Sequence, residues 1–486
     1  MRNSEKSLKK NIALNGLQQL ITFVIPLISV PYLTRVIGKD GIGIYSFTSS
    51  IIQYFILFGT IGMSLYGTRE IAYVRENKDK RDQVFCRILL LRMLFCGLSL
   101  VLYSFVLFFY ETSLKLYLSI QIIALLANAI DISWFFQGIE EFNKTVLSIT
   151  LSKVIGLICI FLFVHSEQDI WVYVLIQVLT LLFGNLVMWF PATRIITFRR
   201  VRIRDAFSIL RPVIALFIPQ IAIELYAVFD KTMLGMLSTI GDVGLYEKAE
   251  QFAKMPLMLV TVIATVLFPR MSNLFAEEGK DALDEGLNNN IRIISFIGVG
   301  ASFGVAGIAN GFVPWMMGDE FLGSIPLMQI LAPLSFFIGL SNMIGRQYLL
   351  PSNQNRAFTL TVSIGAGFNF LLNLLLIPAY GASGACAATL IAEGMVTIIQ
   401  FAIVRKHIRK KEYFKDLLLC MISGFIMLVL VICLGRIISI PVLNTLVQIG
   451  AGVLVYYCIL LMFKNQLASQ IFSEIALVFK KKTGNT

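Results

Sequence analysis

Basic side chains lie inside and at the ends of long apolar segments of this chain. Arg92, Lys153 and Lys254 would lie about 12, 10 and 15 Å inside three of these segments at a helical rise of 1.5 Å per residue. Charged groups at such depths are costly in hydrocarbon and usually face a polar cavity, and arginine and lysine bind phosphate oxygens well. We therefore predict a cationic cleft for an anionic substrate, with these candidate binding residues: Arg35, Arg69, Arg92, Lys153, Lys231, Lys254, Arg270 and Arg346.

Two of these arginines, Arg69 and Arg270, occupy equivalent positions in an internal repeat. We expect this pair to receive an anionic group at the inner end of the cleft. The alternative for each is that its side chain snorkels to the lipid headgroups, as arginines at the inner ends of membrane helices commonly do.

Carboxylates are fewer in the apolar segments, and they are candidates for coupling transport to H⁺ or Na⁺. These candidates are Glu224, Glu393, Asp131 and Asp230. The alternative is that such acids form permanent ion pairs, for example Asp230 with Lys231, or Glu250 with Lys254 one helical turn on.

Several kinds of chemistry are disfavoured by the residues that the sequence lacks. The chain has only two histidines, its seven cysteines show no metal-ligand spacing, and no Gly-x-x-x-x-Gly-Lys-Ser/Thr motif is present. We therefore expect no metal site, no cofactor, no catalytic residues and no enzymatic activity.

The composition indicates a membrane protein. Of the 486 residues, 57% are apolar and 14% are charged, against roughly 25% charged in soluble domains. Apolar stretches of helical spanning length recur, without the alternating pattern of a barrel. We predict an all-α integral membrane protein with about fourteen transmembrane helices, at 12–33, 42–66, 84–109, 114–135, 146–164, 169–191, 212–236, 244–268, 291–313, 323–345, 357–377, 383–404, 416–436 and 444–463.

A repeat divides the chain into two related halves. The segment 43–45, Gly-Ile-Tyr, is followed 24 positions later by Arg69, and the segment 244–246, Gly-Leu-Tyr, is followed 24 positions later by Arg270. Each six-helix half ends in a basic loop, and duplicated lobes with a site between them are typical of transporters. The predicted domains are an N-lobe at 1–211, a C-lobe at 212–415, and a helix pair with a tail at 416–486.

Lysine and arginine collect in alternate loops, which predicts the orientation. The loops that follow the second, sixth and twelfth helices are strongly basic, as are both termini. We therefore predict that the N-terminus and the C-terminus are cytoplasmic. The net charge of +12 is explained by this bias and by anionic lipids at the inner surface, without nucleic acid.

Several motifs together resemble the Wzx-type polysaccharide flippases of the MOP superfamily. They cover roughly residues 10–405 and comprise PYLTRVIG at 31–38, YGTREIA at 66–72, WFFQG at 134–138, FDKTMLG at 229–235, LFPRMS at 267–272 and LIPAYGA at 376–382. The resemblance implies two lobes in a V-shaped arrangement, a bacterial cytoplasmic-membrane location, and alternating-access transport. The implied substrate is an undecaprenyl-diphosphate-linked oligosaccharide repeat unit for capsule, exopolysaccharide or O-antigen, with polysaccharide polymerase machinery as a further partner. With this substrate, Arg69 and Arg270 would receive the diphosphate at the cytoplasmic mouth of the cleft.

Two other functions compete with this interpretation. A drug or metabolite cation antiporter of the MATE type would share the lobes, but its cleft should be acidic and aromatic. A membrane polymerase or glycosyltransferase should carry a large outer loop, whereas the longest outer loop predicted here has about ten residues. The excess of basic over acidic residues in the apolar segments favours the flippase.

Overall fold

The computed structural model describes residues 21, 23–109, 113–258, 260, 280–470 and 473. Within these residues, ten helices are long and apolar enough to cross a membrane, and a shorter apolar helix, α1, spans Phe23–Val36. Helices satisfy their own backbone hydrogen bonds, so they can cross hydrocarbon where an open strand cannot. The predicted class, an all-α membrane protein, is confirmed.

The chain packs into two compact units, Met1–Gly244 and Leu245–Thr486, and it passes from one to the other within helix α11. The predicted lobes at 1–211 and 212–415 rest on sequence repetition rather than on packing. They stay a prediction, as does the separate tail region at 416–486.

Ten helices follow α1 in the first unit and at its end. The long ones contain the apolar runs, and the short α6 and α9 lie in connections between them. Their bounds are α2 Gly38–Thr60, α3 Met63–Val74, α4 Lys78–Phe109, α5 Lys115–Ala129, α6 Ser133–Gly138, α7 Phe142–Phe163, α8 Ile170–Ile195, α9 Ile203–Phe207, α10 Leu210–Leu237 and α11 Ile240–Ala253.

Helices α2 and α3 form one kinked span. Ile61 and Gly62 between them have φ values of 39° and 67°, in the left-handed region, so the helix is interrupted and then resumes. The sequence predicted a span at 42–66, whereas the helical segment runs from Gly38 to Val74. The polar residues at both ends of this segment lower the local hydropathy, so a hydropathy-based assignment leaves those turns out.

The glycines that open the two repeated motifs both allow close backbone contact. A methyl group at Gly43 would lie 2.0 Å from the carbonyl oxygen of Ile240, and one at Gly244 would lie 2.0 Å from that of Lys39. Lys39 and Ile240 are themselves 201 positions apart, like the two glycines. The two contacts are therefore equivalent under the repeat, and glycine is required at both positions because any Cβ would collide with backbone.

The second unit contains the remaining helices: α12 Lys280–Met317, α13 Ser324–Leu331, α14 Leu334–Ile344, a π-helical turn at Gly345–Leu349, α15 Asn355–Val404, α16 Lys410–Gly435 and α17 Pro441–Met462. Helix α15 is broken at Gly381, where φ is 54° and ψ is −132°. The break falls between the predicted spans at 357–377 and 383–404. The two spans therefore form separate helical segments, as predicted.

Helices α16 and α17 pack on α12 through small residues. A methyl group at Gly300 would lie 2.9 Å from the ring of Tyr456, and one at Gly307 would lie 2.9 Å from Val431. Glycine on one helix therefore makes room for a large side chain on the next. These contacts attach α16 and α17 to α12 within the second unit.

Candidate functional site

A cavity in the first unit surrounds one of the predicted basic residues. It has a volume of about 230 Å³ and lies among α1, α7 and α8. Its polar side chains are Ser29, Lys153, Gln177 and Thr180, and the remaining lining residues are Ile25, Pro26, Gly156, Leu157, Ile160 and Ile176. Lys153 is the sole ionisable residue among those ten.

Lys153 lies deep in the span. Lys153 lies eleven residues after the first residue of α7, Phe142, and ten before the last, Phe163. At 1.5 Å per residue these offsets correspond to about 16 and 15 Å, close to the middle of the helix. The ammonium group supplies up to three hydrogen-bond donors, and the Ser29, Gln177 and Thr180 side chains can donate or accept.

Small residues bring α7 and α8 together beside the cavity. A methyl group at Gly156 would lie 2.4 Å from Thr180 Oγ1, and one at Gly184 would lie 2.8 Å from Ser152 Oγ. Ser148 donates a hydrogen bond to the carbonyl oxygen of Gly184. This close packing fixes the wall that carries the lysine, and it gives the cavity a defined shape.

Arg92 lies elsewhere in the first unit and is enclosed by partners. Its exposed fraction is 1%, and its guanidinium donates to the carbonyl oxygen of Asn128 at 2.8 Å and to Ser64 Oγ at 3.0 Å. It also pairs with Asp131 at 3.1 Å, and Asp131 in turn accepts a hydrogen bond from the backbone N–H of Ser133 at 2.9 Å. The structure thus brings together two predicted site residues, a cation and an acid, as a buried ion pair.

Other predicted basic residues are nearer the surface. Arg69 is 42% exposed, pairs with the neighbouring Glu70 at 3.1 Å, and lies over the ring of Tyr66. Arg35 is exposed and donates to the carbonyl oxygen of Pro31 at 2.6 Å. These contacts fit the snorkelling alternative as well as a role at the mouth of a cleft.

In the second unit, Lys254 pairs with Glu250 at 2.5 Å, which is the ion pair named as an alternative to an open cleft position. Arg346 is exposed on the π-helical turn. Arg270 lies outside the described residues.

The remaining candidates are more enclosed. Asp230 is 4% exposed, and Lys231, Glu224 and Glu393 are partly buried. Their assignment to substrate binding or ion coupling stays a prediction.

The neighbourhood of Asp230 contains polar residues that the sequence analysis missed. Thr232 on α10 donates to Ser50 Oγ on α2 at 2.8 Å, and it accepts a hydrogen bond from Tyr54 at 3.0 Å. Ser29, Gln177 and Thr180 in the Lys153 cavity were missed for the same reason. Thr232 lies in the motif FDKTMLG but was not chosen as a site residue, and no quoted motif includes the others, so the available signal was a hydroxyl or amide within an apolar run.

Comparisons with known proteins give a consistent result. A family model described as "Polysaccharide biosynthesis protein" matches residues 8–275, more than half of the chain. A "Putative O-antigen transporter" of Escherichia coli strain K12 is 27% identical over 427 residues, covering 84% of this chain and 99% of that protein. The structure is similar to that of "Lipid II flippase MurJ, inward closed conformation", with a TM-score of 0.76, 17% identity, and coverage of 93% and 99%.

A second solved structure is an inward-facing multidrug resistance MATE family transporter of the MOP superfamily. Its TM-score is 0.61 at 13% identity, with coverage of 80% of this chain and 99% of that one. Both structural similarities concern the fold alone. They agree with the predicted MOP-type fold.

Proposed function

The chain belongs to the polysaccharide biosynthesis protein family, and from this premise we propose that it is a flippase for undecaprenyl-diphosphate-linked oligosaccharide repeat units. It moves these units from the inner to the outer leaflet of the bacterial cytoplasmic membrane, where they are assembled into a surface polysaccharide. Its N-terminus and C-terminus face the cytoplasm. The lipid-linked oligosaccharide is its substrate, and the polymerase that joins the units acts after it.

The observation that carries this proposal is the Lys153 cavity. Flipping requires a charged diphosphate and a hydroxyl-rich glycan to pass through hydrocarbon, while the polyprenyl tail stays in lipid. A cavity midway along a membrane helix, lined by a lysine and three neutral polar side chains, offers hydrogen-bond donors and acceptors to an anionic or hydroxyl-bearing group. A lining whose one ionisable residue is a lysine differs from the acidic, aromatic cleft expected of a cation antiporter.

The membrane potential supplies a driving force in the required direction. With the cytoplasm negative, moving an anionic headgroup outward is favoured by about 2.3 kcal/mol per charge per 100 mV. A coupling cation is therefore optional on energetic grounds. If one is used, Glu224, Glu393, Asp131 and Asp230 are its candidate carriers, although the ion pair of Asp131 with Arg92 favours a structural role for that acid.

The test uses the purified protein in liposomes with a short undecaprenyl-diphosphate-linked oligosaccharide and an imposed potential. We expect Lys153→Met to reduce the flipping rate at least tenfold, because a charge pair at about 4 Å contributes up to ~4 kcal/mol at an effective dielectric constant of about 20. Lys115→Met, which removes an exposed lysine at the start of α5, is the matched control and should retain the wild-type rate within about twofold, since exposed ion pairs contribute little.

Deletion of the gene provides the cellular arm of the test. The lipid-linked unit should accumulate on the cytoplasmic side, and a Lys153→Met protein should fail to relieve the accumulation. A deletion strain that exports its units normally would exclude the flippase function. Normal flipping by Lys153→Met would exclude this cavity as part of the pathway.

A further inference from the structure

A histidine in the connection between α7 and α8 has an oxygen atom beside each of its ring nitrogens. Nδ1 of His165 lies 3.2 Å from the hydroxyl oxygen of Tyr32, and Nε2 lies 3.0 Å from the carbonyl oxygen of Leu162. The Tyr32 hydroxyl in turn donates to the carbonyl oxygen of Val164 at 2.5 Å. Since a carbonyl oxygen cannot donate, Tyr32 must use its one proton in that bond. The hydroxyl therefore presents an oxygen lone pair to the imidazole.

The imidazolium is the form of His165 that allows all three bonds. With both ring nitrogens protonated, Nδ1–H donates to Tyr32 and Nε2–H donates to Leu162. A neutral ring protonated at Nδ1 would place the Nε2 lone pair against the carbonyl oxygen of Leu162. A neutral ring protonated at Nε2 would place the Nδ1 lone pair against the Tyr32 oxygen, or would draw the hydroxyl proton away from Val164. Loss of the ring proton thus removes one hydrogen bond in either tautomer.

Charged groups on the neighbouring elements are compatible with a cationic ring. Asp169 Oδ2 accepts hydrogen bonds from the backbone N–H groups of His165 at 3.0 Å and Ser166 at 2.9 Å, so a carboxylate lies close by. A methyl group at Gly41 would lie 3.1 Å from Ile170, so the start of α2 packs against the same connection. Three acids and two bases lie on the 3₁₀ turn after His165 and on the adjoining ends of α1 and α2, namely Glu167, Asp169, Asp40, Arg35 and Lys39. The acids outnumber the bases, which favours a positive charge on the ring electrostatically.

This contact between α1 and the α7–α8 connection lies at one end of the Lys153 cavity. Tyr32 is less than one helical turn beyond Ser29 on α1, and its ring packs on Phe161 of α7 with the centroids 4.7 Å apart. Ser29 and Ile160, the residue before Phe161, both line the cavity. The contact therefore fastens α1 to the last turn of α7 beside the cavity wall. The distribution of lysine and arginine assigns this end to the outer side of the membrane.

We propose that His165 is a proton-binding site that controls the outer end of the Lys153 cavity. When the ring is protonated, Tyr32 and His165 hold α1 against α7 and close that end. When the ring is neutral, one of the three hydrogen bonds becomes a contact between two acceptors, and α1 separates from α7 more readily. Because the closed form holds the extra proton, it is favoured at low pH and is lost as the pH rises through the range in which histidine changes charge, about pH 5 to about pH 8.

The experiment measures access from outside to a cysteine placed in the cavity wall. The full chain with Ser29→Cys is produced in a host without the lipid-linked substrate, and spheroplasts are treated with a membrane-impermeant methanethiosulfonate reagent at about pH 5.5 and about pH 8. Mass spectrometry of the peptide that contains residue 29 gives the rate of modification. Thiols react faster at high pH, so each rate is divided by that of the Ser29→Cys, His165→Gln protein at the same pH. We expect a ratio of about one fifth at the lower pH, where the charge-assisted bonds close the cavity, and a ratio within about twofold of one at the higher pH.

Further variants separate the hydrogen bonds from general effects of pH. Tyr32→Phe removes the hydroxyl and should give the faster rate at both pH values, with no further increase from His165→Gln. Tyr73→Phe, at a tyrosine that is 75% exposed, is the matched control and should keep the pH dependence. His407→Gln, at the other histidine of the sequence, should keep it as well.

The inference fails if the ratio is the same at both pH values, or if the Tyr32→Phe protein remains closed at the lower pH. It also fails if His407→Gln, rather than His165→Gln, abolishes the pH dependence. Because the labelling assay contains no lipid-linked substrate, its result is independent of the proposed function. A protein that opens as expected but does not flip the lipid-linked unit would refute the flippase proposal alone.

Discussion

Replacing Arg92 by glutamine tests whether a buried charge in a membrane helix serves packing or substrate binding. Arg92 lies in the set predicted for the cationic cleft, yet its guanidinium is held by Ser64, Asn128 and Asp131. Removing one member of a buried ion pair costs about 3–5 kcal/mol, because the other charge is left uncompensated. The Asp131 side chain is 16% exposed, and partial hydration of its carboxylate places the expected cost near the lower end, about 3 kcal/mol.

A loss of this size is measurable by heating the purified protein and following the monodisperse fraction by size-exclusion chromatography. At roughly 2–4 °C per kcal/mol for a unit of this size, the midpoint should fall by about 6–12 °C. Arg92→Gln combined with Asp131→Asn should recover part of the loss, because no unpaired charge is left. Arg200→Gln, at an exposed arginine, should leave the midpoint unchanged. An Arg92→Gln protein with an unaltered midpoint but impaired substrate binding would refute the structural assignment.

Three further predictions concern packing and coupling. Gly43→Ala should destabilise the protein by about 3 kcal/mol, because its Cβ would meet a backbone oxygen at 2.0 Å, whereas Gly97→Ala, with no atom within 4 Å, should be neutral in the same thermal assay. Glu250→Gln should cost about 1–2 kcal/mol by chemical unfolding, less than a fully buried pair, because its lysine partner is 34% exposed. Glu224→Gln or Glu393→Gln should abolish stimulation by an imposed proton or sodium gradient if either acid carries the coupling ion, and an unchanged response from both would exclude them.

The family and the fold were predictable because their signals are strong and local. Apolar runs long enough to span the membrane directly indicate helices in hydrocarbon. The motifs indicate the family, which the family match confirms, and the similar structures agree with the fold. Helix ends were less predictable, since the polar first turns of α2 and the last turns of α3 continue beyond the apolar part. The break in α15 was predictable because Gly381 lies between two apolar runs.

The candidate site was predictable only in part, because a sequence shows how deep a charged residue lies in an apolar run but not which side chains surround it. Depth along an apolar run identified Lys153 and Arg92 equally, because both positions predict a charge in hydrocarbon. The space beside each side chain separates them. Arg92 meets an acid 39 positions away and a serine 28 positions away, whereas Lys153 borders a cavity whose polar residues come from α1 and α8. Such long-range neighbours leave no local pattern, so depth alone cannot decide between a structural tie and a binding site.

The different surroundings of Arg92 and Lys153 indicate which of the two can contact a substrate during transport. A cation that is fully engaged with an acid and backbone carbonyl oxygens contributes little attraction to a passing phosphate, because its donors are already used. Lys153 instead borders a cavity that also presents hydroxyl and amide side chains, so the cavity has room for a substrate group beside the lysine. Transport requires that a substrate group can enter and leave, and the cavity beside Lys153 provides space that the enclosed Arg92 lacks. Arg92→Gln should accordingly lower the thermal midpoint, whereas Lys153→Met should lower the flipping rate.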